Sequence, residues 1–178
     1  MVELDFVQYD DNVHRDQYYE LTLEYITWVG NEVKTRYDIN INPNQDGTAK
    51  EYLDSIFNKF TEIKPPEGII YLLLDEKRVV GMGALRKLEE GIGEIKRMYI
   101  KPDPSYRGNG YGQKIVDKLV EKARLLGFST LRLDTGAYMP AAVHIYKKAG
   151  FKESEYYSGN EFEQDHAEGI AIYMEKKL

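Results

Sequence analysis

Between a strand-like stretch, Glu94 to Ile100, and a strongly helical one lies the run Arg107-Gly108-Asn109-Gly110-Tyr111-Gly112-Gln113, and no other feature constrains the fold of this chain as much. Glycine adopts turns closed to other residues and lets the backbone approach a ligand closely. The first turn of the following helix offers unpaired N–H groups and the positive end of its dipole. Such a turn suits a phosphate. The helix after it is well patterned: Ile115, Val116, Leu119, Val120, Ala123 and Leu126 fall on one face, and Lys114, Asp117, Lys118, Glu121, Lys122 and Arg124 on the other. Gly127 ends it. With a second strand from Thr130 to Asp134, the stretch reads as a strand, glycine turn, helix, strand unit.

The rest of the chain bounds what surrounds that unit. Its 178 residues suit one domain, 1–178. Met1 to Asp5 carries neither a basic region nor an apolar signal core, and no apolar run approaches the ~20 residues that span a bilayer, so the expectation is a cytoplasmic protein with no membrane partner. Without cysteine there is no disulfide, thiolate ligand or thiol nucleophile, and the scattered His14, His144 and His166 give no metal spacing; no metal is expected. A net charge of −6 argues against nucleic acid as a partner. From Arg86 to Arg124 ten basic and six acidic residues give +4, leaving −10 elsewhere, so the basic excess surrounds the glycine turn. Glu153, Glu155, Glu161, Glu163, Asp165 and Glu168 form an acidic run, read first as a solvated loop and edge strand.

Leu4 to Gln8 reads as a first strand. Val13 to Lys34 is helical in pattern, with Gly30 a candidate break. Asp38 to Gly47 is a loop, and Thr48 with Glu51 opens a second helix, to Phe60, with a capping box. Gly68 to Leu74, Arg78 to Leu88 and Gly93 to Ile100 form an antiparallel meander. In the last of these Met98 and Ile100 share one alternation phase while Ile95 holds the other, the signature of a β-bulge. A short helix from Pro140 to Ala149 and strands at Phe151 to Tyr157 and Gly169 to Lys176 finish the chain.

Arg107-x-x-Gly110-x-Gly112, preceded by Glu94-Ile95-Lys96-Arg97-Met98-Tyr99-Ile100-Lys101-Pro102 and followed by Ala142-Val143-His144-Ile145-Tyr146-Lys147-Lys148-Ala149-Gly150-Phe151, resembles the GCN5-related N-acetyltransferase (GNAT) superfamily from about Val79 to Phe151. The resemblance implies an α/β (α+β) fold: one mixed, mostly antiparallel sheet of about seven strands, flanking helices, and a splayed, bulged fourth strand. It implies acetyl-CoA as co-substrate, with the pyrophosphate on Arg107, Gly108, Asn109, Gly110, Tyr111 and Gly112 and the pantetheine arm beside Met98, Tyr99 and Ile100. Many members carry Asn where this chain has Met139.

The implied reaction is acetyl transfer to a primary amine by direct attack. An amine with pKa near 10.4 is only ~0.1% neutral at pH 7.4, a handicap of about 4 kcal/mol that a base must offset. Glu94 stands where many members place a carboxylate and is the candidate base, through a water. Tyr146 matches the motif tyrosine, the general acid for the departing thiolate. Each has a plainer reading: a strand Glu is most often solvated, and a tyrosine in a chain of fifteen can simply pack. Trp28, Tyr25 and Glu161 are candidates for the acceptor pocket, which points to a small cationic amine; protein or peptide amines, a non-catalytic acyl-CoA-binding module, and a homodimer stay open. A dinucleotide oxidoreductase using Asp134 for a ribose fails on glycine spacing, and no P-loop sequence is present.

Overall fold

The computed structural model describes residues 3–41, 47–160 and 169–178. In chain order these form β1 (Asp5–Gln8), α1 (Asp11–Tyr37), α2 (Ala49–Thr61), β2 (Gly68–Asp75), β3 (Arg78–Glu89), β4 (Ile92–Ile100), α3 (Tyr111–Leu125), β5 (Thr130–Gly136), α4 (Pro140–Lys148), β6 (Lys152–Ser154) and β7 (Ala171–Lys177). One sheet holds all seven strands in the order β1-β2-β3-β4-β5-β7-β6. Every neighbouring pair is antiparallel except β4 and β5.

Local chemistry sets the helix boundaries. The Asp10 carboxylate accepts from the Asn12 N–H and starts α1 two residues ahead of the sequence expectation. Gly30 does not break that helix; a mid-helix glycine costs about 1 kcal/mol relative to alanine, less than the packing of Tyr18, Leu21, Val29 and Val33 supplies. Thr48 and Glu51 close the expected capping box on α2, with the Glu51 carboxylate 2.7 Å from the Thr48 nitrogen.

The helices divide the core in two. On one face of the sheet α3 packs Ile115, Val116 and Leu119 against Leu85, Ile95, Leu131 and Leu133. On the other, α1 and α2 pack Tyr18, Leu21, Leu53 and Phe57 against Ile70, Leu72, Met82 and Ala84. Strand alternation therefore sends Glu94, Lys96, Arg132 and Asp134 toward the α1/α2 face.

The expected bulge lies in β4. Met82 faces Tyr99 and Ala84 faces Lys96, so two residues of β4, Arg97 and Met98, stand against Gly83 of β3 alone. Arg97 is the additional one, with φ of 52°. A left-handed φ in a non-glycine residue costs on the order of 1–3 kcal/mol, and the Arg97 guanidinium stacks 3.8 Å above the Phe60 ring, which favours this conformation. Lys96 and Arg97 consequently both face away from α3, and Met98 returns to it.

The C-terminal region differs from its sequence pattern. Phe151 to Tyr157 does not extend as one strand, because β6 pairs with β7 only from Lys152 to Ser154. Tyr156 and Tyr157 instead turn edge-on to Tyr173 of β7, at 5.4 and 5.8 Å between ring centres. That departure carries the Tyr157 hydroxyl under the sheet, to Glu94.

Candidate active site

The glycine turn opens α3 as the sequence suggests. Gly108 and Gly110 hold φ near +80°, and Gly110 is the helix N-cap with no side chain capping the first turn. A Cβ at either glycine would meet nothing within 4 Å, so the backbone conformation requires glycine there and the space before the helix is open. Gly112 has a different reason: a Cβ would lie 2.8 Å from Cδ1 of Ile145, so the residue lets α4 pack closely on α3. Arg107 donates from Nε and Nη2 to the Ile100 carbonyl at 3.1 and 3.0 Å and fastens the turn to the end of β4, while Asn109 donates to the Ser105 carbonyl at 3.0 Å and closes the turn on the preceding loop. Tyr111 is buried beneath it.

Beyond the turn the sheet opens. β4 and β5 pair only at Ile92 with Thr130, Gly93 with Leu131 and Glu94 with Arg132. Past that point the strands part, and a cavity fills the gap, lined from β4 by Ile95 to Met98, from β5 by Asp134 to Gly136, from the loop before α4 by Tyr138 and Met139, and from the helices by Tyr25, Val29, Ala142 and Tyr146. Met98 thus stands at the cavity wall. Tyr99 points the other way, donating its hydroxyl to Glu24 at 2.9 Å, and the Ile100 side chain packs on the α3 core.

Glu94 is not solvated. It is fully buried and does not line the cavity: Tyr157 donates to its Oε1 at 2.8 Å, and Arg86 Nε donates to its Oε2 at 2.6 Å. Arg86 also donates to the Gly159 carbonyl at 2.8 Å, tying the loop after β6 to the same carboxylate. Burial, and then the neighbouring Glu94 charge, pushes the Tyr157 phenol far up, so it stays protonated as a donor. Next along β4, Lys96 Nζ lies 2.7 Å from Asp134 Oδ1 and 3.9 Å from Glu94 Oε1, with both members of the Lys96–Asp134 pair 6% exposed. Four charged side chains therefore run from the loop after β6 to the cavity wall.

Tyr146 lies across the gap on α4, its ring 6.0 Å from Phe151 in an edge-on contact and its body in the α3 core. Burial, followed by the proximity of Tyr25 and Asp134, raises its pKa well above the ordinary phenol value. The group holds a proton at any ordinary pH.

Tyr25 reaches the cavity directly, and Trp28 stands behind it, 6.0 Å from the Tyr99 ring and 6.4 Å from Tyr138. With Tyr37 these rings form an aromatic wall between α1 and the end of β5. Gly136 makes room for it, because any side chain there would strike Tyr138. Glu161 lies outside the described residues. Of the acidic run, Glu153 is exposed and paired with Lys147 at 2.7 Å. His144 is exposed.

Lys96, Asp134, Tyr138 and Tyr157 were not singled out from the sequence as lining or supporting this cleft. One signal could have found the first two: a Lys and an Asp at equivalent steps along strands that pair in parallel, just before the bulge.

Residues 33–151 match the model of the acetyltransferase (GNAT) family. An IAA acetyltransferase of Azospirillum brasilense is 34% identical over 56% of this chain, and the match spans 61% of that protein, under two thirds of its length. An uncharacterized N-acetyltransferase of Schizosaccharomyces pombe is 32% identical over 65% of this chain and 71% of its own. Among solved structures, a GNAT superfamily phosphinothricin acetyltransferase from Sinorhizobium meliloti, in complex with AcCoA, superposes with a TM-score of 0.68 at 17% identity, covering 100% of this chain and 89% of the other.

Proposed function

This chain belongs to the acetyltransferase (GNAT) family, and we propose that it moves an acetyl group from acetyl-CoA to the primary amine of a small acceptor by direct attack. The observation that carries the reading is the parting of β4 and β5 beside the uncapped N-terminus of α3, with a protonated tyrosine on the far wall. The S. meliloti relative of the same fold, bound to AcCoA, supports the choice of donor.

The residues fit such a donor. Gly108 and Gly110 keep the space before α3 open, and its first-turn N–H groups face a pyrophosphate without competition from a capping side chain. The segment from Ile95 to Met98, which has left the β5 ladder, offers backbone groups to a pantetheine arm. When bound, acetyl-CoA supplies a thioester whose C–S bond breaks as the new N–C bond forms, releasing a thiol and an amide. Tyr146 gives its hydroxyl proton to the departing sulfur and is restored from solvent. The acceptor enters as an ammonium ion beside the Tyr25 and Tyr138 rings and Asp134. Its proton passes to the carboxylates of the α1/α2 face: Asp134 at the wall, with Glu94 behind it across Lys96. Glu94 does not meet the acceptor directly, because it is buried behind the cavity wall and both of its oxygens already accept hydrogen bonds.

Thiol release from acetyl-CoA, followed with a chromogenic disulfide reagent across a panel of amines, tests the reading, and a chain with no cysteine adds no background. Amine-dependent release is expected. Tight binding of acetyl-CoA without release on any amine would leave a binding module, and no binding would remove the reading altogether.

A further inference from the structure

The Lys96–Asp134 pair is costly where it stands. Both side chains are 6% exposed, and removing two charges from water is repaid only by close geometry, here 2.7 Å. Continuing the register from Glu94 and Arg132 sets Lys96 opposite Asp134, at the second step past the last backbone pairing of β4 with β5. A pair of opposite charges therefore replaces ladder hydrogen bonds at the wall of the cavity, on the face opposite α3.

Resting on the acetyltransferase reading above, we propose that this pair recognises the acceptor as a zwitterion: Asp134 receives the ammonium and Lys96 the carboxylate of an α-amino acid or a close analogue. An internal pair is electrically neutral, and so is a zwitterion. Exchanging one Lys–Asp contact for Lys–carboxylate and Asp–ammonium contacts leaves no buried charge without a partner. A simple amine adds one net positive charge to this neutral pair, while a diamine or polyamine carries a second positive charge toward Lys96 and Arg97. A spare donor is also at hand: Tyr173 sits opposite Asp134 in the β5–β7 register, and its hydroxyl is buried with no hydrogen-bond partner among the described residues. The acceptor class thereby narrows from cationic amines in general to those bearing a carboxylate beside the amine.

With the full chain and acetyl-CoA, initial rates of thiol release are compared for the common α-amino acids, each against the amine that carries hydrogen in place of its carboxylate and against its amide. The best amino acid is expected to exceed both counterparts by about 30-fold or more in kcat/KM, as a desolvated charge contact supplies. Lys96→Met is expected to bring that ratio to within about threefold, and Lys96→Arg to keep much of it. A pair that merely pinned β4 to β5 would lower all three compounds together and leave the ratio intact. Parity, or preference for the decarboxylated amine, in the wild-type chain overturns the proposal. Should no compound release thiol, titration calorimetry of the CoA-bound chain with the same sets separates the two claims. Carboxylate-dependent binding then upholds zwitterion recognition while acetyl transfer fails, and binding that ignores the carboxylate defeats the proposal by itself.

Discussion

The two faces of the sheet around β4 and β5 are built on opposite principles. Toward α3 the strands present Ile95, Leu131 and Leu133 to Ile115 and Leu119, an apolar interface with every member nearly or wholly buried. Toward α1 and α2 the same strands present Glu94, Lys96 and Asp134, equally buried and joined to Arg86 and Tyr157. Apolar burial stabilises in proportion to the area removed from water, whereas buried ion pairs approximately break even against an apolar replacement. One face holds the fold together. The other spends part of that stability on a polarised wall beside a cavity, a common arrangement at sites that bind and react.

The contrast can be broken by separating partners. Arg86→Met leaves Glu94 buried and without its cation, and is expected to cost about 3–5 kcal/mol in urea unfolding; adding Glu94→Gln should recover much of that loss. If the double variant were no more stable than the single, the ionic face would be contributing stability in its own right. On the apolar face Leu119→Ala should cost about 2–5 kcal/mol while activity per folded molecule changes little. A comparable fall in kcat would show that the faces are not separable. Far from both, Thr48→Ala removes the hydroxyl half of the α2 capping box for about 1 kcal/mol, which calibrates what a local contact is worth in this chain. An effect of similar size in all three would erase the distinction.

The sequence made the two faces unequally legible. The apolar side follows from helical periodicity in α3 and alternation in its strands, and the phase slip between Ile95 and Met98 located the bulge because inward-facing apolar residues mark their own direction. Charged residues carry no such mark. Alternation places Glu94 and Lys96 on one side of β4, but a Glu on a strand looks the same whether it meets water or Arg86 and Tyr157, and those partners come from β3 and from a loop 63 residues further on. Asp134 was visible as a residue and invisible as a partner, since its contact with Lys96 needs the parallel register. Gly30 misled for the opposite reason: local propensity suggested a break that tertiary packing overrides. The β6 strand is shorter because Tyr156 and Tyr157 pack edge-on against Tyr173, a contact that strand patterning does not encode.

The pH profile of Tyr146→Phe against the wild-type chain bears most directly on catalysis in the gap between β4 and β5. The raised pKa of Tyr146 keeps its proton through the alkaline range, so wild-type kcat should show no falling limb from this group up to about pH 10. Phenylalanine keeps the ring that packs on Phe151 and removes only the hydroxyl. A fall in kcat of about 10² or more, with unfolding little changed and acetyl-CoA still bound, is the result expected of a lost proton donor. Unchanged kcat in the folded variant would contradict it, and would make Tyr146 a packing residue.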